Sequence, residues 1–94
     1  MKRVVFAAAA RRDFAALAVW IAENAGVDVA ACFTLELQER IELLATSPLM
    51  GRPGVVATTS EVVFDGVIIV YVVKADVVAI GRLWHAKQQR PFKR

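Results

Sequence analysis

The sequence predicts an α+β domain in which an N-terminal strand and an α-helical hairpin precede a three-stranded antiparallel meander. Three observations carry this reading. Apolar residues of the first half recur at helical spacing, β-branched residues of the second half come in short runs, and an Asp-Gly pair separates two of those runs. A chain of 94 residues has apolar surface for one core, so residues 1–94 are read as a single domain.

Arg3 to Phe6 is short and β-branched and reads as the first strand. Phe14, Leu17, Ala18 and Ile21 follow at i, i+3, i+4 and i+7, which places a first helix over roughly Ala8 to Asn24. Gly26 breaks it, and Asp28 is positioned to cap a second helix. Phe33, Leu37, Ile41 and Leu44 form the apolar stripe of that helix, with Glu36 and Arg40 paired on its other side, and Pro48 predicts an end near Ser47. So few residues join the helices that they fold back on each other and present their stripes to a common layer. After the turn region Gly51-Arg52-Pro53-Gly54, the segments Glu61 to Phe64, Val67 to Val73 and Val77 to His85 supply that layer. Asp65-Gly66 suits a two-residue hairpin turn needing positive φ at both positions, and Ala75-Asp76 is a weaker second turn. Val67 to Val73 is apolar on both alternating faces, which predicts a central strand covered on both sides.

The hydrophobic fraction of 57% exceeds what one small core hides, so some apolar surface is expected to meet a partner. No apolar run, Val67 to Val73 included, comes near the length of a bilayer span. Arg11, Arg12 and Asp13 interrupt any signal-peptide core, and the chain is read as cytoplasmic. The single cysteine, Cys32, has no internal disulfide partner and is read as a buried small hydrophobe. With one histidine there is no ordinary Cys/His zinc set, and neither a metal nor a cofactor is expected. Charge is strongly partitioned. Lys2, Arg3, Arg11 and Arg12 at one end and Arg82, Lys87, Arg90, Lys93 and Arg94 at the other are unopposed, whereas residues 13–81 hold all nine acids against three bases. A fold that joined the ends would merge them into one positive face suited to a polyanion or an acidic protein.

Several ordered blocks extend this picture. Ala10-Arg11-Arg12-Asp13-Phe14 leads into Trp20-Ile21-Ala22-Glu23, Ala31-Cys32-Phe33 follows, and Leu43 to Pro53 ends in a P-x-x-G-R-P turn. Glu61 to Phe64 precedes Ile69 to Val73, and Ile80-Gly81-Arg82-Leu83-Trp84-His85-Ala86-Lys87 is close to a V-x-H-x-R/K ending. In these blocks and their order the chain resembles the RelE/ParE toxin superfamily of type II toxin–antitoxin systems, and its ending is ParE-like. Relatives often cap the first helix with serine where this chain has Ala7 and Ala8, a difference of about 1 kcal/mol in stability. The resemblance implies a toxin held by a cognate antitoxin in a hetero-oligomer. It leaves the antitoxin-contacting residues unspecified.

Two activities share this fold in the family. ParE-like members inhibit DNA gyrase by binding, while RelE-like members cut mRNA on the ribosome. Cutting at a 2′-hydroxyl needs a group to take a proton, a group to return one, and positive donors for the phosphate. His85 is the only histidine and Tyr71 the only tyrosine, and Tyr71 lies mid-strand, where packing with a bonded hydroxyl is the simpler role. Strand alternation puts Arg82 and Trp84 on one face and Leu83 and His85 on the other, so Arg82 and His85 need not share a site. Lys87 and Arg90 bring charge but titrate too high for proton exchange near neutrality. The expected target-binding residues are therefore Arg82, Trp84, His85, Lys87 and Arg90, with no catalytic residue. An endoribonuclease using Arg82 and His85, and an inactive antitoxin-binding homologue, are the alternatives.

Overall fold

The computed structural model of the chain describes residues 2–85. The order is β1 (Arg3–Phe6), α1 (Ala8–Ala25), α2 (Val27–Glu42), a 3-10 turn (Leu43–Ala45), β2 (Arg52–Pro53), β3 (Ser60–Phe64), β4 (Val67–Val73) and β5 (Val77–His85). The meander is β3, β4 and β5, all antiparallel. Asp65 and Gly66 take φ of 50° and 86°, the left-handed pair that the Asp-Gly turn requires. The second turn is closed by the Lys74 amide, which donates to the Val77 carbonyl at 2.8 Å.

Two strands complete the sheet, whose order is β1-β5-β4-β3-β2. β1 runs parallel to β5, with Arg3 opposite Val77 and Phe6 opposite Ile80. β2 emerges from the segment expected to be only a turn. Arg52 pairs with Glu61 and Pro53 with Ser60, and a proline fits there because an outermost strand can forgo a ladder donor.

The helices deviate from expectation at their ends. Gly26, at φ 103°, closes α1 through its amide to the Ala22 carbonyl and also precedes the first residue of α2, and no side chain caps α2. Asp28 is instead in the first turn, where its charge meets the positive end of the helix. α2 stops at Glu42 and tightens into the 3-10 turn, short of the expected end near Ser47. As expected, α1 starts at Ala7 with no side-chain cap. The Ala7 amide finds the Ile80 carbonyl of β5 at 2.9 Å.

The core lies between the helices and one sheet face. Leu17, Ile21, Leu37, Ile41 and Leu44 meet Val67, Ile69, Tyr71, Val78, Ile80 and Leu83, all buried, while Phe14 and Phe33 pack at its margin half-buried. Cys32 is exposed, contrary to expectation. It precedes Phe33 by about 100° around the helix and so falls off the apolar stripe. β4 also differs. Val67, Ile69 and Tyr71 are buried, but Ile68, Val70 and Val72 on the opposite face are only half-buried. Among the described residues no helix is long and apolar enough to cross a membrane.

The expected merging of the basic ends into one positive face rests partly on Lys87, Arg90, Lys93 and Arg94, which lie outside the described residues. Because β1 is parallel to β5, Lys2 and Arg3 lie beside the start of β5, and the Lys2 ammonium is held by the carbonyls of Lys74 and Ala75 at 2.9 and 2.7 Å. Arg11 and Arg12 are exposed on α1, and Arg11 lines a pocket with Val4, Val5 and Phe6 of β1.

Candidate functional site

β5 divides at a bulge. Its register with β4 slips between Val70 and Tyr71, so that Tyr71 pairs with Ile80 but Val70 with Arg82, and Gly81 is the extra residue. Before the bulge β5 lies between β1 and β4. Beyond it β1 has ended, and the N-terminal half of α1 takes its place. Asp13 reaches from α1 to this open edge. Its carboxylate accepts Arg82 Nε at 2.7 Å, Arg82 Nη2 at 3.1 Å and the Leu83 backbone amide at 3.0 Å.

The alternation expected for the strand end holds. Arg82 and Trp84 share the outer face, with the guanidinium carbon 4.3 Å from the Trp84 ring centroid, a stacking distance at which the ring quadrupole attracts the cation. Leu83 and His85 turn toward the helices, where the His85 imidazole lies 4.9 Å from the Trp20 ring. Arg82 and His85 are thus on opposite faces. Trp84 and His85 are buried, at 8% and 9% exposure, while the Arg82 side chain keeps 36% of its surface. The hydrogen bond to Asp13, more than the opposing effect of burial, raises the Arg82 pKa above its ordinary value, so this cation is permanent. Lys87 and Arg90 lie outside the described residues.

A groove of about 350 Å³ opens on the outer face, lined by Val55, Val56, Thr59, Glu61, Val70, Arg82 and Trp84. Its far wall is the loop between β2 and β3, pinched by the Gly54 amide donating to the Thr59 carbonyl at 2.9 Å. Val55 and Val56 there are 73% and 64% exposed. Glu61 is buried and pairs with Arg52 at 3.4 Å. Below the loop, the Tyr71 hydroxyl donates to the Pro48 carbonyl at 2.9 Å and accepts the Gly51 amide at 3.0 Å. Burial raises the Tyr71 pKa, with the bonds to Gly51 and Ser60 opposing it. Tyr71 is a clasp with both hydroxyl functions engaged, in keeping with the packing role read from sequence.

Sequence reasoning located Arg82 and Trp84 but missed Asp13 and the valine loop. Asp13 contacts Arg82 across 69 positions, and no local periodicity signals such a pair. Among the described residues no group of His, Cys, Asp and Glu is arranged to hold a metal ion.

The architecture is that of the RelE/ParE toxins. A chromosomal ParDE toxin–antitoxin system from P. aeruginosa contains a chain similar over 93% of this one and 98% of its own length, at 18% identity and a TM-score of 0.83. The RelBE2 toxin–antitoxin complex from Mycobacterium tuberculosis contains another, covered over 89% and 96%, at 20% identity and a TM-score of 0.61. No curated protein sequence matches the chain. The family model of the ParE toxin of type II toxin–antitoxin systems, parDE, matches residues 4–90, and the chain belongs to that family.

Proposed function

We propose that this toxin arrests growth in the cytoplasm by binding DNA gyrase, without chemistry of its own, and that a cognate antitoxin restrains it in a hetero-oligomer. The observation that best supports a binding mechanism is the separation of Arg82 from His85 by the thickness of the sheet. A phosphate-directed guanidinium and a proton carrier must converge on one bond to cleave it, and here one faces the groove while the other stacks on Trp20. Arg82 then serves as a contact, Trp84 as its platform, and His85 as a strand-end contact near the target surface. Lys87 and Arg90 add positive charge along the following segment. Exposed Val27, Leu35 and Leu49 belong to an apolar surplus that an antitoxin's amphipathic helix and extended segment would cover.

The test expresses wild type and a Lys87→Glu/Arg90→Glu variant without antitoxin, following supercoiling by gyrase and ribosome-dependent mRNA cleavage. Wild type should inhibit supercoiling and leave mRNA intact, and charge reversal should weaken inhibition while the fold persists. mRNA cleavage with unaffected supercoiling would move the protein to the RelE-like reading.

A further inference from the structure

The ion pair between α1 and β5 has an uncommon geometry. An exposed pair between flexible side chains contributes little and wanders. Here one carboxylate, with only 17% of its side chain exposed, gathers three donors, two from the Arg82 guanidinium and one from the backbone amide of Leu83. Charge-assisted bonds through Nε and Nη2 fix the plane of the guanidinium as well as its position. The Trp84 ring, 4.3 Å away, then occupies one face. One edge and one face of the cation are thereby committed within the protein. The remaining edge, at Nη1, is not engaged by Asp13, and Arg82 lines the groove together with Val55, Val56 and Val70.

The same carboxylate also replaces a missing strand. β1 ends at Phe6 opposite Ile80, so among the described residues no strand lies beside this edge of β5 from Gly81 onward. Asp13 occupies the Leu83 amide and ties that edge to α1. One side chain thus sets the direction of Arg82 and holds the edge of β5 at Leu83.

We propose that Asp13 is a positioning residue for target binding, holding Arg82 against Trp84 so that its free edge is presented ready-oriented to the target. The inference rests on the reading above that Arg82 contacts the target, but not on which target that is. Its energetic basis is preorganisation, since an arginine already immobilised loses less freedom when the complex forms. A purely structural Asp13 would stabilise the fold and leave potency per folded molecule unchanged.

A double-mutant cycle separates the two. Wild type, Asp13→Asn, Arg82→Gln and the double variant are expressed under titrated induction without antitoxin, and growth arrest is scored against soluble, folded protein. Asp13→Asn should raise the half-effective level about tenfold and Arg82→Gln by at least as much. Asp13→Asn should add nothing once Arg82 is gone. Asp13→Glu, which keeps the charge, should recover part of the loss. Independently of toxicity, the Arg82 Nε–H resonance should persist with slowed exchange in wild type and lose that protection in Asp13→Asn. Equal effects of Asp13→Asn with and without Arg82, unchanged potency per folded molecule, or an unprotected Nε–H in wild type would each overturn the assignment. Growth arrest that shows the expected cycle but spares gyrase would overturn the gyrase reading and leave the role of Asp13 standing. A wild type that arrests no growth overturns both.

Discussion

The two halves of β5 are built on different principles. From Val77 to Ile80 the strand is flanked by β1 and β4, and Val78 and Ile80 are fully buried. From Gly81 to His85 one flank is α1, and the edge is held by a carboxylate and by ring contacts with Arg82 and Trp20. The first half is secured by burial and a backbone ladder, which tolerate no polar exposure. The second is secured by side chains, which leave a cation, a groove and a strand end turned outward. Placing the bulge at Gly81 is what lets one strand serve both purposes.

The difference can be broken most severely in the first half. Ile80→Ala should cost about 3 kcal/mol and lower the thermal midpoint on the order of 15 °C, while the molecules that remain folded keep their potency. Calorimetry with growth arrest normalised to folded protein checks both parts. Equal potency loss and stability loss would show that the halves are not separable.

The loop that walls the groove offers a second, smaller break. Gly51→Ala drives a Cβ into the Tyr71 hydroxyl and the Glu61 carbonyl, with an expected cost of about 1–3 kcal/mol. Tyr71→Phe leaves the Pro48 carbonyl and Gly51 amide without their partner, costing about 1–2 kcal/mol. Urea denaturation should find both variants folded but weaker, and additivity of the two would argue against a shared clasp.

At the second half, His85→Gln tests contact against proton transfer. Loss of the stack on Trp20 should cost about 1 kcal/mol, and toxicity per folded molecule should stay within a few-fold of wild type. A drop of roughly 10²-fold or more, the scale of lost general acid–base catalysis, would favour the nuclease reading.

The smallest effect is a pH dependence. The folded-state pKa of Tyr71 is raised above 10.0, so the unfolded chain releases this proton first as pH rises. Stability from Tyr71 is full below pH about 10 and falls as pH climbs from there toward the folded-state value. Comparing wild type with Tyr71→Phe isolates this loss from every other effect of alkali. A wild type no more alkali-sensitive than Tyr71→Phe would show that the hydroxyl is not protected.

What could be read from sequence follows from what is periodic. The apolar stripe of α2, the Asp65-Gly66 turn and the alternation of Arg82 with Leu83 are short-range patterns, and each appears in the fold. β2 could not be foreseen, because two residues carry no period and their pairing with Ser60 and Glu61 depends on a loop closing at Gly54. The burial of His85 was hidden for a related reason, since Trp20 of α1, against which it packs, is brought there by tertiary structure. The pairing of β1 with β5 was likewise invisible, and it sets Lys2 and Arg3 beside the start of β5.

That pairing also bears on how the chain folds. β1 leaves the ribosome well before its strand partner, with Arg3 and Val77 standing 74 positions apart. The helical hairpin and the meander can each form from near neighbours, whereas seating β1 must close a loop spanning most of the molecule. Loop closure of this kind slows folding more than it weakens the product. We expect a kinetic order in which the hairpin and meander acquire structure first and β1 docks last. Pulsed hydrogen exchange during refolding should therefore find the Val4 to Phe6 amides protected after those of β4, and simultaneous protection would refute that order. Until β5 has been made, the edge that β1 will occupy is absent, so β1 waits for its partner while every element between them is synthesised.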